Sequence, residues 1–211
     1  MPVDKGVTLD PARTREQILQ VATEVLYEQG LDGVGVAGLC ARAGVSKETL
    51  YRHFGSKEGL VRATLEARSD RVTRWLREAA AAAGPEPADQ LGAVFDALAG
   101  WYAEPGFRGC AIVNAAVQHH EGAAREVAAR HMDRHLELLS GIAARAGAAE
   151  PGVLARQILV LMEGAAVVAD LHGVDGTGRQ VREAALALLR ASAAGGRGPE
   201  AGSARKTATA R

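Results

Sequence analysis

The amino-acid sequence predicts an all-α protein of about nine helices, with a three-helix N-terminal domain and a larger helical C-terminal domain. The longest Ala-, Leu- and Val-rich stretches carry charged residues at helical intervals, and Gly and Pro fall mainly in short clusters between them. No segment shows the alternating apolar and polar pattern of a strand. The 211 residues, of which 47% are apolar, are enough to bury a proper core.

The overall composition excludes several simple interpretations. Lys and Arg total 25 against 25 Asp and Glu, so any basic surface must be local. Cys40 and Cys110 are far apart and form no CxxC pair, which favours two reduced, apolar side chains. Residues 1–12 lack the apolar core of a signal peptide, and no window reaches roughly 18 uninterrupted apolar residues. We therefore expect a cytoplasmic protein that does not bind a membrane.

Helix signals define the first predicted element. Thr14 and Gln17 have capping-box spacing, so the first helix is expected to begin at Thr14 and to end at Gly30. Residues 1–12 are predicted to be disordered. The apolar face of this helix comprises Ile18, Leu19, Ala22, Val25 and Leu26.

Two short helices follow. Apolar residues at i, i+3, i+4 and i+7 predict a helix over 36–43, and Gly44 can end it in the left-handed conformation. Ser46 can cap the next helix, 47–54, in which Leu50 and Phe54 share an apolar face. These segments complete the predicted three-helix domain, 13–60.

The larger predicted domain spans 61–194. Ser56 can cap a long fourth helix that runs to about Ala82 and ends before Gly84. Its expected apolar stripe is Leu60, Thr64, Val72, Trp75, Leu76 and Ala79. Further helices are expected at about 88–102, 109–119, 121–146, 152–171 and 178–194. Residues 195–211, rich in Gly, Ala, Ser and Thr with several basic residues, are predicted to be a disordered basic tail.

The stretch from Leu39 to Lys57 has the pattern of a helix-turn-helix, because two short helices flank a Gly-containing turn. In such motifs the second helix enters the major groove of DNA, and flanking groups hold phosphates. The stretch holds four basic residues and one acid, Glu48, which indicates a local basic patch. On spacing alone, a helical hairpin with a basic face is also found in proteins that never touch DNA.

The candidate DNA-contacting residues lie in and beside the second helix of this motif. Lys47 and Thr49 are expected at base edges, whereas Tyr51, His53 and Lys57 are expected at phosphates, Lys57 at the positive N-terminus of the fourth helix. The full set of candidates is Arg42, Ser46, Lys47, Thr49, Tyr51, Arg52, His53 and Lys57.

Three short motifs make the first 60 or so residues resemble the DNA-binding domain of the TetR/AcrR family of transcriptional regulators. They are Ala43-Gly44-Val45-Ser46, Thr49-Leu50-Tyr51-Arg52-His53-Phe54 and Ser56-Lys57-Glu58. The resemblance implies a homodimeric, non-enzymatic repressor that binds a palindromic double-stranded DNA operator through 13–60. It also implies that 61–194 binds a small-molecule effector and forms the dimer. One departure is Val34-Gly35, where the family usually carries a Thr or Ser that caps the second helix.

The last two predicted helices are the candidate dimer interface, since in the family they pair with their mates as a four-helix bundle. The candidate residues are Leu154, Ile158, Leu161, Ala165, Val181, Ala185, Leu188 and Leu189. An intramolecular core would use the same apolar stripes, and the pattern alone does not separate the two arrangements.

Candidate effector contacts are sparse, and an apolar or amphipathic compound fits them best. They are Phe95, Trp101, Tyr102, Phe107, Asn114, Gln118, Met132, Met162 and Glu163. The segment from Gly109 to Asn114 resembles a Gly-Cys-x-x-x-Asn start of the sixth helix in some family members, where it serves the helix junction. An effector is expected to tilt the fourth helix, with Trp75 and Leu76 as candidates for transmission.

Two alternatives remain open. His131 and His135 at i, i+4 could share a metal ion on one helix face, although they read as surface histidines without a HExxH arrangement. A helix-turn-helix protein that binds other proteins but no longer binds DNA is the second alternative. No nucleophile motif or Gly-rich phosphate loop is present, so we expect neither catalysis nor a cofactor.

Overall fold

The computed structural model describes residues 10–30, 33 and 35–195, and within them the chain forms nine helices and no strand. The helices are α1 (Pro11–Gln29), α2 (Val36–Ala43), α3 (Lys47–Phe54), α4 (Lys57–Ala82), α5 (Pro87–Tyr102), α6 (Ala111–Gln118), α7 (Gly122–Arg145), α8 (Pro151–His172) and α9 (Thr177–Gly195). The all-α prediction is thus confirmed. Disorder was predicted for 1–12 and 195–211, of which 1–9 and 196–211 fall outside the described residues. The prediction was wrong for residues 10–12 and 195, because Asp10 caps α1, Pro11 and Ala12 form its first turn, and Gly195 ends α9.

The start of α1 differs from its prediction. The N-cap is Asp10, whose carboxylate accepts a hydrogen bond from the backbone N–H of Ala12 at 3.0 Å, and Pro11 occupies the first turn. Thr14 is buried inside the helix instead of capping it. Gln17 is not part of a capping box either, because its amide donates to the carbonyl of Ala43 at 3.0 Å and so holds α2 against α1.

The turn between α2 and α3 depends on one glycine. Gly44 has φ +64° and ψ +31°, the left-handed conformation that a side chain disfavours, and its backbone N–H bonds to carbonyls at the end of α2. Ile18, Leu39 and Leu50 meet beneath this turn and are almost fully buried. The three helices therefore have fixed relative positions.

The core of the N-terminal helices extends beyond the predicted boundary at residue 60. Ile112 of α6 and Ala124 and Val127 of α7 lie in the same apolar cluster as Ile18 and Leu50. Residues 13–60 thus share one core with the start of the C-terminal region.

A second core fills the C-terminal region and contains most of the predicted dimer interface. Six of the eight residues are buried within the protomer, and two are half-buried against the same core. The buried ones are Leu154, Ile158, Ala165, Val181, Ala185 and Leu189, and the half-buried ones are Leu161 and Leu188. The prediction therefore needs correction, because these side chains pack against α5 and α7 of their own chain.

A different face of α8 is exposed and apolar. Its side chains on this face are Val153, Val160, Val167, Val168 and Leu171, with Gly164 among them. We call these six residues the outer stripe of α8. By length and a mean hydropathy of 1.6 over an 18-residue window, α8 could also cross a membrane, but one such helix is weak evidence, and 39% of that window is buried inside the protein.

Helices α4 and α7 run parallel. Among the described residues four ion pairs cross between them, and in three of these the residue numbers differ by 64. The three are Arg62 with Glu126 (2.6 Å), Arg130 with Glu66 (2.8 Å) and Arg134 with Asp70 (2.5 Å), and the fourth is Arg77 with Glu137 (2.5 Å). Half-exposed pairs add little stability. Their regular spacing instead opposes sliding of one helix along the other.

Candidate DNA interface and buried polar cluster

Ser46 fixes the start of α3. Its hydroxyl accepts a hydrogen bond from the backbone N–H of Thr49 at 3.0 Å and lies 2.9 Å from the Thr49 hydroxyl. This N-cap satisfies one of the free amides of the first turn. Ser46 and Thr49 thus shape the N-terminus of α3, and the Thr49 side chain is half-buried.

The two sides of α3 differ sharply. Leu50 points into the core with 0% exposure, whereas Lys47, Glu48 and Arg52 are exposed. The Lys47 ammonium lies 5.7 Å from the centre of the Tyr51 ring, on the same side of the helix. The outer side of α3 therefore presents two cations and one acid to solvent.

The N-terminus of α4 adjoins α3. Ser56 caps it by accepting a hydrogen bond from Gly59 at 3.0 Å, and Lys57 is exposed in its first turn. Tyr51, His53 and Phe54 of α3 are half-buried, and the Arg15 guanidinium lies 5.4 Å from the Phe54 ring centre. A cation and a helix N-terminus at one place form a suitable site for a phosphate.

Arg42 differs from the sequence prediction of a DNA contact. Its guanidinium lies 3.2 Å from Glu28 and 3.6 Å from Glu24, both on α1. Its charge is therefore offset within the protein. The N-cap of α2 agrees with the departure seen in the sequence, because Gly35 makes no side-chain capping bond.

Five of the nine predicted effector contacts lie near one another. Trp101, Tyr102 and Phe107 form an aromatic cluster, with ring centres 4.8 Å apart for Trp101 and Phe107 and 5.3 Å apart for Tyr102 and Phe107. The Tyr102 hydroxyl donates to the carbonyl of Met162 at 3.3 Å. Glu163 follows Met162 on α8, and its charge raises the pKa of Tyr102, although burial of the phenol raises it more.

The remaining predicted contacts lie elsewhere. Asn114 and Gln118 line a cleft between α6 and the end of α1, where the Asn114 amide donates to the carbonyl of Arg108 at 2.7 Å. Phe95 is fully buried in the C-terminal core, and Met132 is half-buried on α7. The nine candidates therefore do not all lie in one place, because a helical pattern cannot show which faces converge.

A buried polar cluster, which includes His131 and His135, lies beside the aromatic rings and was not predicted from the sequence. His131 and His135 are 0% and 5% exposed, so reading them as surface residues was wrong. Their i, i+4 spacing does place them on one helix face, with ring centres 4.2 Å apart. Among the described residues no group of three or more His, Cys, Asp or Glu is arranged to hold a metal ion. The structure thus gives no support to the metal alternative.

The two histidines differ in their partners. His131 Nδ1 lies 2.9 Å from the Ser69 hydroxyl of α4, and its Nε2 lies 3.8 Å from the Cys110 sulfur. His135 has no hydrogen-bond partner at either ring nitrogen. The Glu163 carboxylate is 3.9 Å from its Nδ1, which is too far for a hydrogen bond. Burial, and then the neighbouring His135, lowers the pKa of His131 to about 3.

Burial also sets the charge state of the rest of the cluster. It lowers the pKa of His135 to about 4 and raises the pKa of Glu163 to about 7. It raises the pKa of the Cys110 thiol as well. At neutral pH the imidazoles and the thiol are therefore uncharged. The cluster is suited to hydrogen bonding more than to charge pairing.

Fold and site together define a helix-turn-helix transcriptional regulator. Residues 18–64 match the sequence model of the bacterial regulatory proteins of the tetR family. A solved TetR transcriptional regulator from Streptomyces avermitilis is 30% identical, with a TM-score of 0.73 over 85% of this chain and 97% of that one. The chain belongs to the TetR family, whose members are non-enzymatic, bind DNA and typically act as dimers with small-molecule effectors.

Two further similarities mark where the likeness is strong and where it is weak. A TetR-family regulator from Streptomyces coelicolor superposes with a TM-score of 0.76 at 27% identity, over 86% of this chain and 97% of that one. The HTH-type transcriptional activator FasR of Mycolicibacterium smegmatis is 37% identical over 75 residues, 36% of this chain and 34% of its own. The chain spans less than half the length of the first curated relatives it matches.

Proposed function

We propose that this protein is a homodimeric, cytoplasmic repressor that binds a palindromic operator through α3 and is released by a small-molecule effector. The observation that carries the proposal is the outer side of α3. Lys47 and Arg52 are exposed there, beside Lys57 at the N-terminus of α4, in a protein whose net charge is zero. Such a local patch on a recognition helix fits the major groove and its phosphates.

The outer stripe of α8 supports the dimer. Val160 is 71% exposed and Leu171 is 72% exposed, so the stripe leaves a continuous apolar face without a partner inside the protomer. A Cβ at Gly164 would meet nothing within 4 Å, which leaves room for a neighbouring helix to approach. We infer that the stripe packs on its own copy about a two-fold axis and so pairs the two α3 helices.

The contacts of α7 with α4 support the coupling between effector and DNA. The Arg134 guanidinium donates both to Asp70 at 2.5 Å and to the Ser69 hydroxyl at 3.0 Å. Because α7 and α4 share this register, a compound that displaces α7 also displaces α4, which leads directly into the DNA-binding helices. Release then follows from a higher affinity of the compound for the displaced state.

The experiment is selection and gel shift of DNA with the purified full chain. Fragments of the source genome that bind should contain an inverted repeat, and a reporter controlled by such a fragment should be less active when the protein is present. FasR is described as an activator, so a more active reporter would replace the repressor assignment with an activator one.

The alternative of an interaction protein without DNA binding makes a different prediction. It requires that no fragment is enriched at low salt, where phosphate contacts are strongest. That outcome would overturn the proposed function, whatever the reporter shows.

A further inference from the structure

His135 marks an unfilled hydrogen-bonding position inside the C-terminal region. Both of its ring nitrogens are buried without a hydrogen-bond partner, and the nearest acid, Glu163, is 3.9 Å from Nδ1. Buried polar atoms in folded proteins nearly always have a partner, and an exception requires an explanation. Two polar side chains from different helices, α7 and α8, face the same place here.

The chemistry of this position favours an uncharged partner. A neutral imidazole offers one N–H donor and one acceptor nitrogen, and the Glu163 carboxyl group adds further acceptor oxygens. A hydroxyl group both donates and accepts, so a single hydroxyl can bond to His135 and Glu163 together. A charged group would lose its hydration on entering this buried site.

The cation on the same helix as His135 is already engaged. The Arg134 guanidinium bonds to Asp70 and Ser69. It is therefore not available to bind a carboxylate beside His135. This observation favours a hydroxyl over an acid as the group that reaches His135.

The aromatic cluster provides the apolar side of the site. Tyr102 packs on Trp101 and Phe107 and is close enough to Glu163 to feel its charge. Beside the cluster, Val72, Trp75 and Trp101 form the apolar wall of an open cleft of about 320 Å³, whose other lining residues are Arg68, Arg71 and Glu104. The ring of a bound compound would make edge-on or offset contacts with these aromatic side chains. The flexible side chain of Met162 can adapt to the added ring.

We infer that His135 and Glu163 bind the hydroxyl group of a small uncharged aromatic compound, whose ring packs against Trp101, Tyr102 and Phe107. The inference rests on the proposed function, because the compound is the effector to which the repressor responds. It assigns a chemical class, the phenols and related aromatic alcohols, to that effector.

Three matched probes test the inference by calorimetry on the full chain at pH 7: 4-propylphenol, 4-propylanisole and 4-propylbenzoate. The phenol should bind at one site per protomer. The anisole, whose oxygen can accept but not donate, should bind at least about ten-fold more weakly, and so should the charged benzoate. Equal affinity for phenol and anisole, or no binding of the phenol, would overturn the inference.

Variants locate the site. His135→Phe and Glu163→Gln should each weaken phenol binding at least about ten-fold. Only Glu163→Gln should leave anisole binding nearly unchanged, because the anisole oxygen can still accept from His135, and His120→Phe on the exposed surface should change neither affinity. Circular dichroism checks that each variant is folded, and the nearly isosteric Glu163→Gln remains informative if His135→Phe does not fold. Unchanged phenol binding in folded variants would also overturn the inference.

DNA binding without any compound separates this inference from the proposed function. If the unliganded wild-type protein selects no DNA, the proposed function fails whatever the calorimetry shows. If it selects DNA but the phenol neither binds nor releases it, only the effector assignment fails.

Discussion

Ser69 of α4 and His131 of α7 meet inside the protein, with the serine hydroxyl 2.9 Å from the imidazole Nδ1. The two residues are 62 positions apart and both almost fully buried. The same hydroxyl accepts a hydrogen bond from Arg134, whose guanidinium also pairs with Asp70. The buried Ser69–His131 contact and the exposed Arg134–Asp70 ion pair therefore join α4 to α7 at the same level. Both lie beside His135, the proposed effector contact.

The exposed cations of α3 and α4 should differ in what they contribute to DNA binding. Lys57→Ala should weaken binding to all sequences similarly and lower the slope of log affinity against log salt by about 1 per protomer, since a phosphate contact is lost. Tyr51→Ala should also weaken all sequences, and Lys47→Ala should change base preference. Fluorescence anisotropy on operator variants over a salt series measures each effect.

Arg42→Ala is the matched control for these changes. It also removes one positive charge from the motif, but in the protein that charge faces Glu24 and Glu28. Its salt slope should equal that of the wild type. A slope lowered as much as in Lys57→Ala would mean that Arg42 leaves α1 to reach a phosphate.

The outer stripe of α8 should determine the oligomeric state. Val160→Glu places a charge in the centre of the proposed interface and should convert the dimer to a monomer in analytical ultracentrifugation. Because a monomer presents one α3, its operator affinity should fall at least about 100-fold.

Val117→Glu is the control for the stripe. Val117 is 65% exposed, close to the 71% of Val160, but it lies on α6. The variant should remain a dimer. If both variants stay dimeric, or both dissociate, the stripe is not the interface.

The buried cluster should make stability depend on pH. Between about pH 5 and 6 the unfolded chain binds nearly two more protons than the folded one at His131 and His135, whose folded pKa values are about 3 and about 4. The folded chain binds one more at Glu163, whose pKa is about 7. The net proton released on folding should lower the free energy of unfolding by about 1.4 kcal/mol for each pH unit of acidification.

Glu163→Gln should steepen this dependence. It removes the group that acts in the opposite direction, so the slope should roughly double, to about 2.7 kcal/mol per pH unit. Urea unfolding at one protein concentration from pH 5 to 6 measures the slope. Asp133→Asn, at an exposed carboxyl on α7, serves as the control. A slope that Glu163→Gln leaves unchanged would contradict a protonated, buried Glu163.

Close contact between α5 and α9 should make one glycine essential for stability. A Cβ at Gly178 would lie 2.4 Å from the Ala99 Cβ and 3.0 Å from its Cα, and neither short side chain can turn away. Gly178→Ala should therefore destabilise the protein by about 1 to 3 kcal/mol in urea unfolding.

Gly100→Ala, on α5 itself, should raise the stability of the protein instead of lowering it. Gly100 is exposed, and a Cβ there would meet nothing within 4 Å. Helix propensity should then stabilise the protein by about 0.5 to 1 kcal/mol. A loss of stability in Gly100→Ala as large as that in Gly178→Ala would show that an added methyl group destabilises the protein without a clash between α5 and α9.

Local signals predicted the DNA-binding helices well. The bounds of α2 and α3 agree with the prediction because Gly44, Ser46 and Gly55 act on residues a few positions away. The start of α1 was missed by three residues, since Asp10 followed by Pro11 is the stronger start signal and Thr14 with Gln17 only has the spacing of one.

Long-range contacts account for the parts that could not be predicted. Periodicity correctly placed Leu154 and Ile158 on one face of α8, but it could not show that this face meets the protomer's own core. It placed His131 and His135 together, yet their burial depends on Ser69 and Glu163, which lie on other helices. The valines of the outer stripe of α8 were the sequence signal for a dimer interface. A helix that is apolar on most faces packs against a second surface as well as against its own core.

The core that α6 and the start of α7 share with the first three helices limits how the molecule can be recombined. A chimera joined at residue 60 would leave Ile18 and Leu50 facing another protein's α6 and α7 in place of Ile112 and Val127. Exchange of operator specificity between relatives is then better attempted by transplanting only the solvent-facing side chains of α3. The apolar contacts beneath them would remain those of the recipient.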